Sequence, residues 1–466
     1  MDIRERISSW VDEHEKQLIG DISRLVAIRS VAGEPAPGMP FGEGPAAALA
    51  EAEKLCREQG LTVTNYDNYV LGADLNEKES AVDILAHLDV VAEGEGWSTD
   101  PYKAEIKDGC LYGRGTDDDK GPAAAAVYAL SCIRQLNVPL KKNARLILGT
   151  DEESGSKDIE YYYSKVRPAP NTFSPDASFP VYNTEKGLFK CTFSRKWAGE
   201  SVIPRVTELS GGFRINVLPS DAEATVAGIS AAEAEGLLSE KAGKLGVALI
   251  AEDTPAGAKL RVKGVSAHAS TPEEGNNGIT ALTELLSLLP LAECESTDAV
   301  KKLKKLFPHG DGEGRALGID MRDDVSGALS LTFSLLKIDA DGVEGSFDSR
   351  VPICATDENC RQKAFAALEQ AGFTVTGQMR PPHHTPADTP FIKSLLSSYE
   401  YYTGRKGECL HMGGGTYVHD IEGGVAFGAS MPGFDSHLHG ADERVNIKDI
   451  LTACKIFAYA VYTLCS

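Results

Sequence analysis

Three consecutive carboxylates, Asp117, Asp118 and Asp119, stand in the run Gly113-Arg114-Gly115-Thr116-Asp117-Asp118-Asp119-Lys120-Gly121-Pro122. They repel one another, and nothing apolar beside them explains their burial. The glycines permit a sharp turn, and the small apolar residues after Pro122 predict a helix beginning there. Carboxylates at that position can simply face the positive end of the helix dipole, or one of them can bridge two metal ions. His87 and Asp89 lie two apart at a strand end, so their side chains share a side. That suits a metal-bound imidazole oriented by a carboxylate, although a core histidine beside a surface aspartate explains the pair as well. Glu152 and Glu153 diverge from a loop, so one can bind a cation while the other takes a proton from water. An acidic surface turn is the plainer alternative. Asp176 after Pro175 is a turn residue capping its own backbone or a ligand, and His437 and His439 are exposed loop histidines or ligands. Gly413-Gly414-Gly415-Thr416 lacks the Gly-Lys-Ser/Thr of a phosphate loop, and no Gly-x-Gly-x-x-Gly fingerprint occurs. Each stretch alone has an ordinary explanation. Their joint occurrence in this order points to one site.

The elements between these stretches explain how they could meet. Residues 3–29 carry a helical apolar stripe (Ile7, Trp10, Ile19, Ile22, Leu25, Ile28). A Pro/Gly-rich segment and a helix over 45–59 follow, and 61–75 predicts two short strands about Asp67-Asn68. Residues 81–91 read as a buried strand ending at His87-Leu88-Asp89. The helix after Pro122 and a strand over 144–149 complete a strand–helix–strand unit, which implies a parallel or mixed sheet. Functional groups collect at the carboxyl ends of such strands, where His87–Asp89, Asp117–Asp119 and Glu152-Glu153 all fall. The pattern changes after about Lys186. Residues 188–380 read as α+β, with strands over 259–265, 329–338, 343–354 and 373–378 and helices over 278–289 and 358–370. A helix over 390–402 leads to the triple glycine.

At 466 residues the chain exceeds one ordinary domain. Its 42% hydrophobic and 25% charged residues describe a globular protein with ample core. A net charge of −21 argues against nucleic acid or an anionic membrane as partner. The ten cysteines include no Cys-x-x-Cys pair, and several sit in apolar segments as small hydrophobes. The N-terminus lacks the apolar stretch of a signal peptide. The apolar run 450–465 is short and carries Lys455, so it predicts a buried helix rather than a span. A cytoplasmic location is the expectation.

The motifs together resemble the dinuclear-zinc aminoacylase–carboxypeptidase–dipeptidase family, and within it the bacterial peptidase V-type branch of Xaa-His (carnosinase-like) dipeptidases. The resemblance rests on Ala86-His87-Leu88-Asp89-Val90-Val91, the Gly113–Gly121 run, Gly149-Thr150-Asp151-Glu152-Glu153-Ser154-Gly155-Ser156 and Ser174-Pro175-Asp176-Ala177-Ser178-Phe179-Pro180. It continues through Gly264-Val265-Ser266-Ala267-His268-Ala269-Ser270, Gly413-Gly414-Gly415-Thr416-Tyr417 and His439-Gly440-Ala441-Asp442-Glu443. These span nearly the whole chain. The resemblance implies that His87, Asp118 and Asp176 hold one metal ion and that Asp118, Glu153 and His439 hold the other, with Asp118 bridging. It makes Glu152 the general base acting on a metal-bound hydroxide or water, and Asp89 the residue behind His87. His268 would help hold the oxyanion, while Asn216, Gly414 and Gly415 would contact substrate. Arg350, in Asp348-Ser349-Arg350-Val351-Pro352, would grip a C-terminal carboxylate, a task suited to a guanidinium fork. One departure stands out: Val418-His419 follows Tyr417 where the family pattern has an arginine two residues on.

The implied architecture is α/β: a split catalytic domain, residues 1–187 and 384–466, whose mixed, largely parallel sheet is flanked by helices, with an inserted α+β lid over 188–383. The implied activity is hydrolysis of dipeptides bearing a free C-terminal carboxylate. Two divalent ions per chain are expected, Zn2+ first, with Mn2+ and Co2+ as alternatives. In this branch the two halves of the lid take the role a dimer partner has elsewhere, so a monomer is expected, with small dipeptides as its partners. Two other readings stand beside it. One is an N-acyl amino acid deacylase of the same family, whose substrates also offer Arg350 a carboxylate. The other is a non-catalytic, metal-loaded peptide-binding protein, against which Glu152 argues, since a binder needs no base.

Overall fold

The computed structural model describes residues 2–466. One compact unit comprises the chain up to Thr184 together with His384–Ser466, and the other is Glu185–His383.

The first unit is built on a sheet whose central strands are parallel. Ser80–His87 lies between Asn143–Gly149 and Thr172–Ser174, and Gly424–Ala426 runs beside the latter. Antiparallel strands extend it on either side: Thr62–Tyr66 and Val70–Asp74 at one, Val181–Glu185 at the other. The sheet is therefore mixed, with parallel pairing confined to its centre. Strand side chains alternate between faces. Ile84, Ala86, Leu146 and Leu148 join the large core, whereas Leu85 and Ile147 join a smaller cluster with Ile159, Tyr162 and Tyr417. Both faces are thus covered, as central parallel strands require.

The large core is organised by the helix Lys120–Gln135, in which every residue from Lys120 to Ile133 is buried. Four successive alanines, Ala123–Ala126, let neighbouring elements approach it closely, and a helix apolar all round belongs in a core. The C-terminal helix Ile447–Cys465, capped by the Asn446 side chain, packs on it. Lys455 in that apolar run pairs with Asp12 at 2.6 Å. Among the described residues no helix is long and apolar enough to cross a membrane. The N-terminal stripe forms two helices, Ile3–Glu13 and Glu15–Val26, rather than one. The break is at His14, whose ring stacks on Trp10 and whose Nδ1 lies 2.7 Å from the Trp10 carbonyl oxygen, competing for a helical acceptor.

The second unit carries an eight-stranded antiparallel sheet, ordered from Ala248–Thr254 through Gly257–Lys263, Asp221–Ala227, Arg205–Gly211, Ser330–Asp339, Gly342–Val351 and Gly187–Lys196 to Thr374–Arg380. Phe189, Cys191 and Phe193 face its core, while Lys190 alternates outward. Helices Ala231–Lys244, Gly278–Leu286, Glu295–Leu306 and Gln362–Gln370 supply the rest of that core.

Candidate metal centre

The parallel register explains why distant motifs meet in the first unit. His87 pairs with Gly149 across neighbouring strands, so Glu152 and Glu153 begin just beyond the same sheet edge, and Asp176 follows the third strand end at Ser174. Asp118 arrives from the loop before the buried helix, and His439 from the loop before the C-terminal helix. The two oxygens of Asp118 separate the cluster into halves. Oδ1 lies 2.9 Å from His87 Nε2 and Oδ2 lies 2.8 Å from His439 Nε2. Asp176 Oδ2 is 3.7 Å from His87 Nε2, and Glu153 Oε1 is 3.4 Å from His439 Nε2. Donor atoms of His87, Glu152 and Asp176 lie within 4.8 Å of one another, as do those of Asp118, Glu153 and His439. All five expected ligands and Glu152 are therefore brought together, with Glu152 on the His87 side.

These donors suit cations. His87 Nε2 and Glu153 Oε1 are buried and make no hydrogen bond, although ligand atoms of other residues face both closely. Unbonded donors converging at that spacing are what a shared cation would satisfy, and imidazole with carboxylate is a donor set for zinc-like ions.

His87, Glu152, Glu153 and Asp118 are each held through the backbone by a further carboxylate. Asp119 Oδ2 accepts the His87 N–H at 3.0 Å. Asp89 differs from the expectation that its carboxylate orients the His87 ring. His87 Nδ1 sits 3.0 Å from the Asp89 carbonyl oxygen, with the carboxylate at 3.5 Å. That carboxylate instead accepts the N–H groups of Glu152 and Glu153, at 3.2 and 3.0 Å, and so fixes the turn bearing them. The strand ends at His87, which frees the chain at Asp89 to swing toward that turn. Asp158 accepts from Thr150 N, Asp151 N and the Tyr417 hydroxyl, and Glu443 Oε1 accepts from Asp117 N and Asp118 N. The sequence reading missed Asp119 and Asp158 in these positions. For Glu443 the available signal was its place four residues after His439.

The electrostatics are those of crowded, buried charge. Burial opposes ionisation of Asp118, yet His439 and His87 hold it well below the usual carboxylate range. Burial pushes Glu152 up to about 8, with Glu153, Asp118 and Asp89 adding to the rise against the pull of His87. Burial and Asp118 also raise Asp176 well above its ordinary value. His439 rises to about 10, chiefly through its contact with Asp118 and then Glu153. Without added positive charge the cluster holds protons on groups that would otherwise be anionic, and divalent cations would replace those protons.

The remaining expected residues lie elsewhere. Gly414 and Gly415 are exposed in the loop before Tyr417, whose ring meets the His87 ring edge-on at 6.1 Å. His268, Asn216 and Arg350 belong to the second unit, which gathers them by backbone pairing. Val217 pairs with His268, and the Asn216 carbonyl accepts the Ala269 N–H at 3.0 Å. The Thr332 hydroxyl donates to the Ala269 carbonyl, and Thr332 lies opposite Asp348, two residues from Arg350. Arg350 itself is held by Asp348 through Nε and Nη2, at 2.8 and 3.3 Å. His268 Nδ1 lies 2.6 Å from the Ser270 hydroxyl and accepts the Ser270 N–H at 3.3 Å.

The family model of Peptidase family M20/M25/M40 matches residues 84–463. The chain belongs to this family. Over 466 residues it is 34% identical to the putative dipeptidase YtjP of Bacillus subtilis strain 168, covering 97% of each chain. It is 32% identical over 459 residues to the Beta-Ala-Xaa dipeptidase of Lactobacillus delbrueckii subsp. lactis, covering 96% of each. The fold is that of human carnosine dipeptidase 1, with a TM-score of 0.63 at 18% identity over 100% of this chain and 99% of that one. A Bacillus subtilis dinuclear metal-binding peptidase of the M20 family shares it with a TM-score of 0.55 at 10% identity, over 97% and 98% of the two chains. The chain is a metallopeptidase with candidate ligand groups for metal.

Proposed function

We propose that this M20 peptidase is a dinuclear metal-dependent dipeptidase that hydrolyses dipeptides with a free C-terminal carboxylate. The observation that carries the reading is Asp118, whose two oxygens each face one histidine and thereby divide the donors into two sets. The dipeptidase names of the curated relatives support the substrate class. His87, Asp118 and Asp176 would hold one ion and Asp118, Glu153 and His439 the other, zinc being the ion proposed. When bound, the ions polarise the scissile carbonyl and lower the pKa of water. Glu152 takes the proton of the attacking water on its carboxylate and delivers it to the departing amine nitrogen. His268 helps hold the developing oxyanion, Arg350 receives the substrate carboxylate, and Asn216, Gly414 and Gly415 contact the peptide. Residues 188–383 act as a lid on the split domain 1–187 and 384–466, within a cytoplasmic monomer.

The test compares dipeptides with free and amidated C-termini. A charge-assisted contact of about 1.5–3 kcal/mol predicts that amidation lowers kcat/KM by about 10–100-fold, and that Arg350→Ala removes most of this preference. Equal hydrolysis of both would discard the carboxylate grip and with it the dipeptidase reading.

A further inference from the structure

Glu443, which holds the Asp118 backbone, is itself one half of a buried ion pair whose arginine has no part in the roles assigned so far. Arg114 and Glu443 are 1% and 0% exposed, and Arg114 Nη1 donates to Glu443 Oε2 at 2.6 Å. The other oxygen, Oε1, accepts three backbone N–H groups: Gly115 at 3.0 Å, Asp117 at 3.0 Å and Asp118 at 3.2 Å. One carboxylate thus binds the turn that ends in the residue shared by both metal sets. The Glu443 carbonyl adds a further tie, accepting the Gly113 N–H at 2.9 Å.

Arg114 extends the link in the other direction. Its Nη2 donates to the carbonyls of Gly440 at 3.0 Å, His439 at 3.3 Å and Glu93 at 3.4 Å, and its guanidinium carbon lies 5.2 Å from the centre of the Trp97 ring. The loop it holds needs holding. His437, His439 and Asp442 have φ of 56°, 58° and 59°, in the left-handed region that a side chain disfavours. Such conformations persist where surrounding contacts over-determine them, and at His439 the contact is Arg114. The pair therefore joins two loops 325 residues apart in the chain, at the carbonyl of one ligand and the N–H of another.

We propose that Glu443 and Arg114 are positioning residues of the metal centre: they fix the backbone at Asp118 and His439 before any ion arrives, and so set the affinity for the ion these two residues share. Neither touches substrate. A buried pair also serves stability, so the fork of Arg145 on the buried Asp83 is the useful contrast. Asp83 is fully buried and accepts from Arg145 Nε and Nη2 at 3.0 and 2.8 Å, with no hydrogen bond to a metal-bearing loop. Both pairs should matter for folding, and only one should matter for metal.

The inference rests on the two-ion reading above, and the test separates the two. Zinc is titrated into the metal-free full chain against a chromophoric chelator, at a temperature where thermal unfolding shows every variant folded. Wild type is expected to bind two ions. Glu443→Gln keeps an acceptor for the three N–H groups but places an amide against Arg114, and should weaken the second ion by about 10–100-fold, the usual cost of losing a residue behind a ligand. Arg114→Lys keeps the charge beside Glu443 and loses the fork on His439 and Gly440, so it should weaken the same ion and provides the test if the first variant does not fold. Asp83→Asn should lower the Tm and leave both affinities unchanged. Wild type binding a single ion would overturn the two-ion reading. Two ions bound with wild-type affinity by Glu443→Gln or Arg114→Lys would overturn the positioning role alone, as would an equal loss of affinity in Asp83→Asn.

Discussion

The two units build their chemistry in different ways. In the first, four of the six clustered residues are pinned through the backbone by a second carboxylate, His87 by Asp119, Glu152 and Glu153 by Asp89, and Asp118 by Glu443, while the exposed His439 is held at its carbonyl by Arg114. In the second, His268 and Asn216 are exposed and stand on a ladder of only two paired residues, Val217–Leu218 with Ala267–His268. Arg350 alone among them is buried and held by a carboxylate, Asp348. Cations demand fixed distances between several donors at once, so their ligands need a rigid scaffold. A peptide brings its own conformational freedom, and on the function proposed above it would be met by side chains held more lightly.

The comparison breaks most sharply at Glu152. If it is a base placed among ligands without serving as one, Glu152→Gln should lower kcat by at least about 100-fold, the usual scale for general-base loss, while zinc content stays at the wild-type level. Parallel loss of metal and activity would move Glu152 into the ligand set and give the base role to Glu153.

A smaller effect is expected in the second unit. Asp348→Asn retains the side-chain volume and removes the charge behind Arg350. It should raise KM for dipeptides with a free C-terminus by about tenfold, roughly the worth of one charge-assisted hydrogen bond, and leave kcat and KM for amidated dipeptides nearly unchanged. An equal change for both substrates would mean that Asp348 supports the fold of the second unit rather than the aim of Arg350.

Stability against pH should separate the units most gently. Burial raises Asp151 to about 6 and Asp158 and Glu443 to about 7. A carboxyl with a raised folded value favours the folded state when protonated, and that contribution is lost as pH climbs from about 4 through those values. His439, raised to about 10 by Asp118 and Glu153, contributes stability below about 6.5 that is lost as pH rises toward 10. Both kinds of group lean the same way, so the Tm of the metal-free protein should fall between pH 5 and 9. Zinc should flatten that slope by replacing the protons. A metal-free Tm that rises over this range would contradict the electrostatic account of the first unit.

Much of this was legible in the residues and some of it was not. The helix after Pro122, the strand ending at His87 and the pair of strands about Asp67-Asn68 follow from apolar periodicity and turn residues, which are local signals. Strand ends pointed to His87–Asp89, Asp117–Asp119 and Glu152-Glu153 as one site, and the family resemblance supplied the choice of Asp118, Asp176 and His439. The break at His14 was hidden because the apolar stripe runs through it and only the ring contact with Trp10 marks it. Asp89 was read from its spacing to His87, but its carboxylate turns to a loop 63 residues away. Arg114 and Glu443 sat in quoted motifs with no assigned work, because nothing local reveals a pair 329 residues apart. Helices Ala231–Lys244 and Glu295–Leu306 were not anticipated; the buried positions of the first are mostly alanines, and those of the second include Ser296 and Thr297.

The central claim is that one carboxylate, Asp118, serves two ions. Metal analysis of the purified chain and of two variants, each equilibrated with zinc and then desalted, tests it directly. Wild type should retain two zinc ions per chain, His439→Ala about one, and Asp118→Ala none. One ion in wild type, or one ion still bound by Asp118→Ala, would contradict the shared ligand and the dinuclear centre built on it.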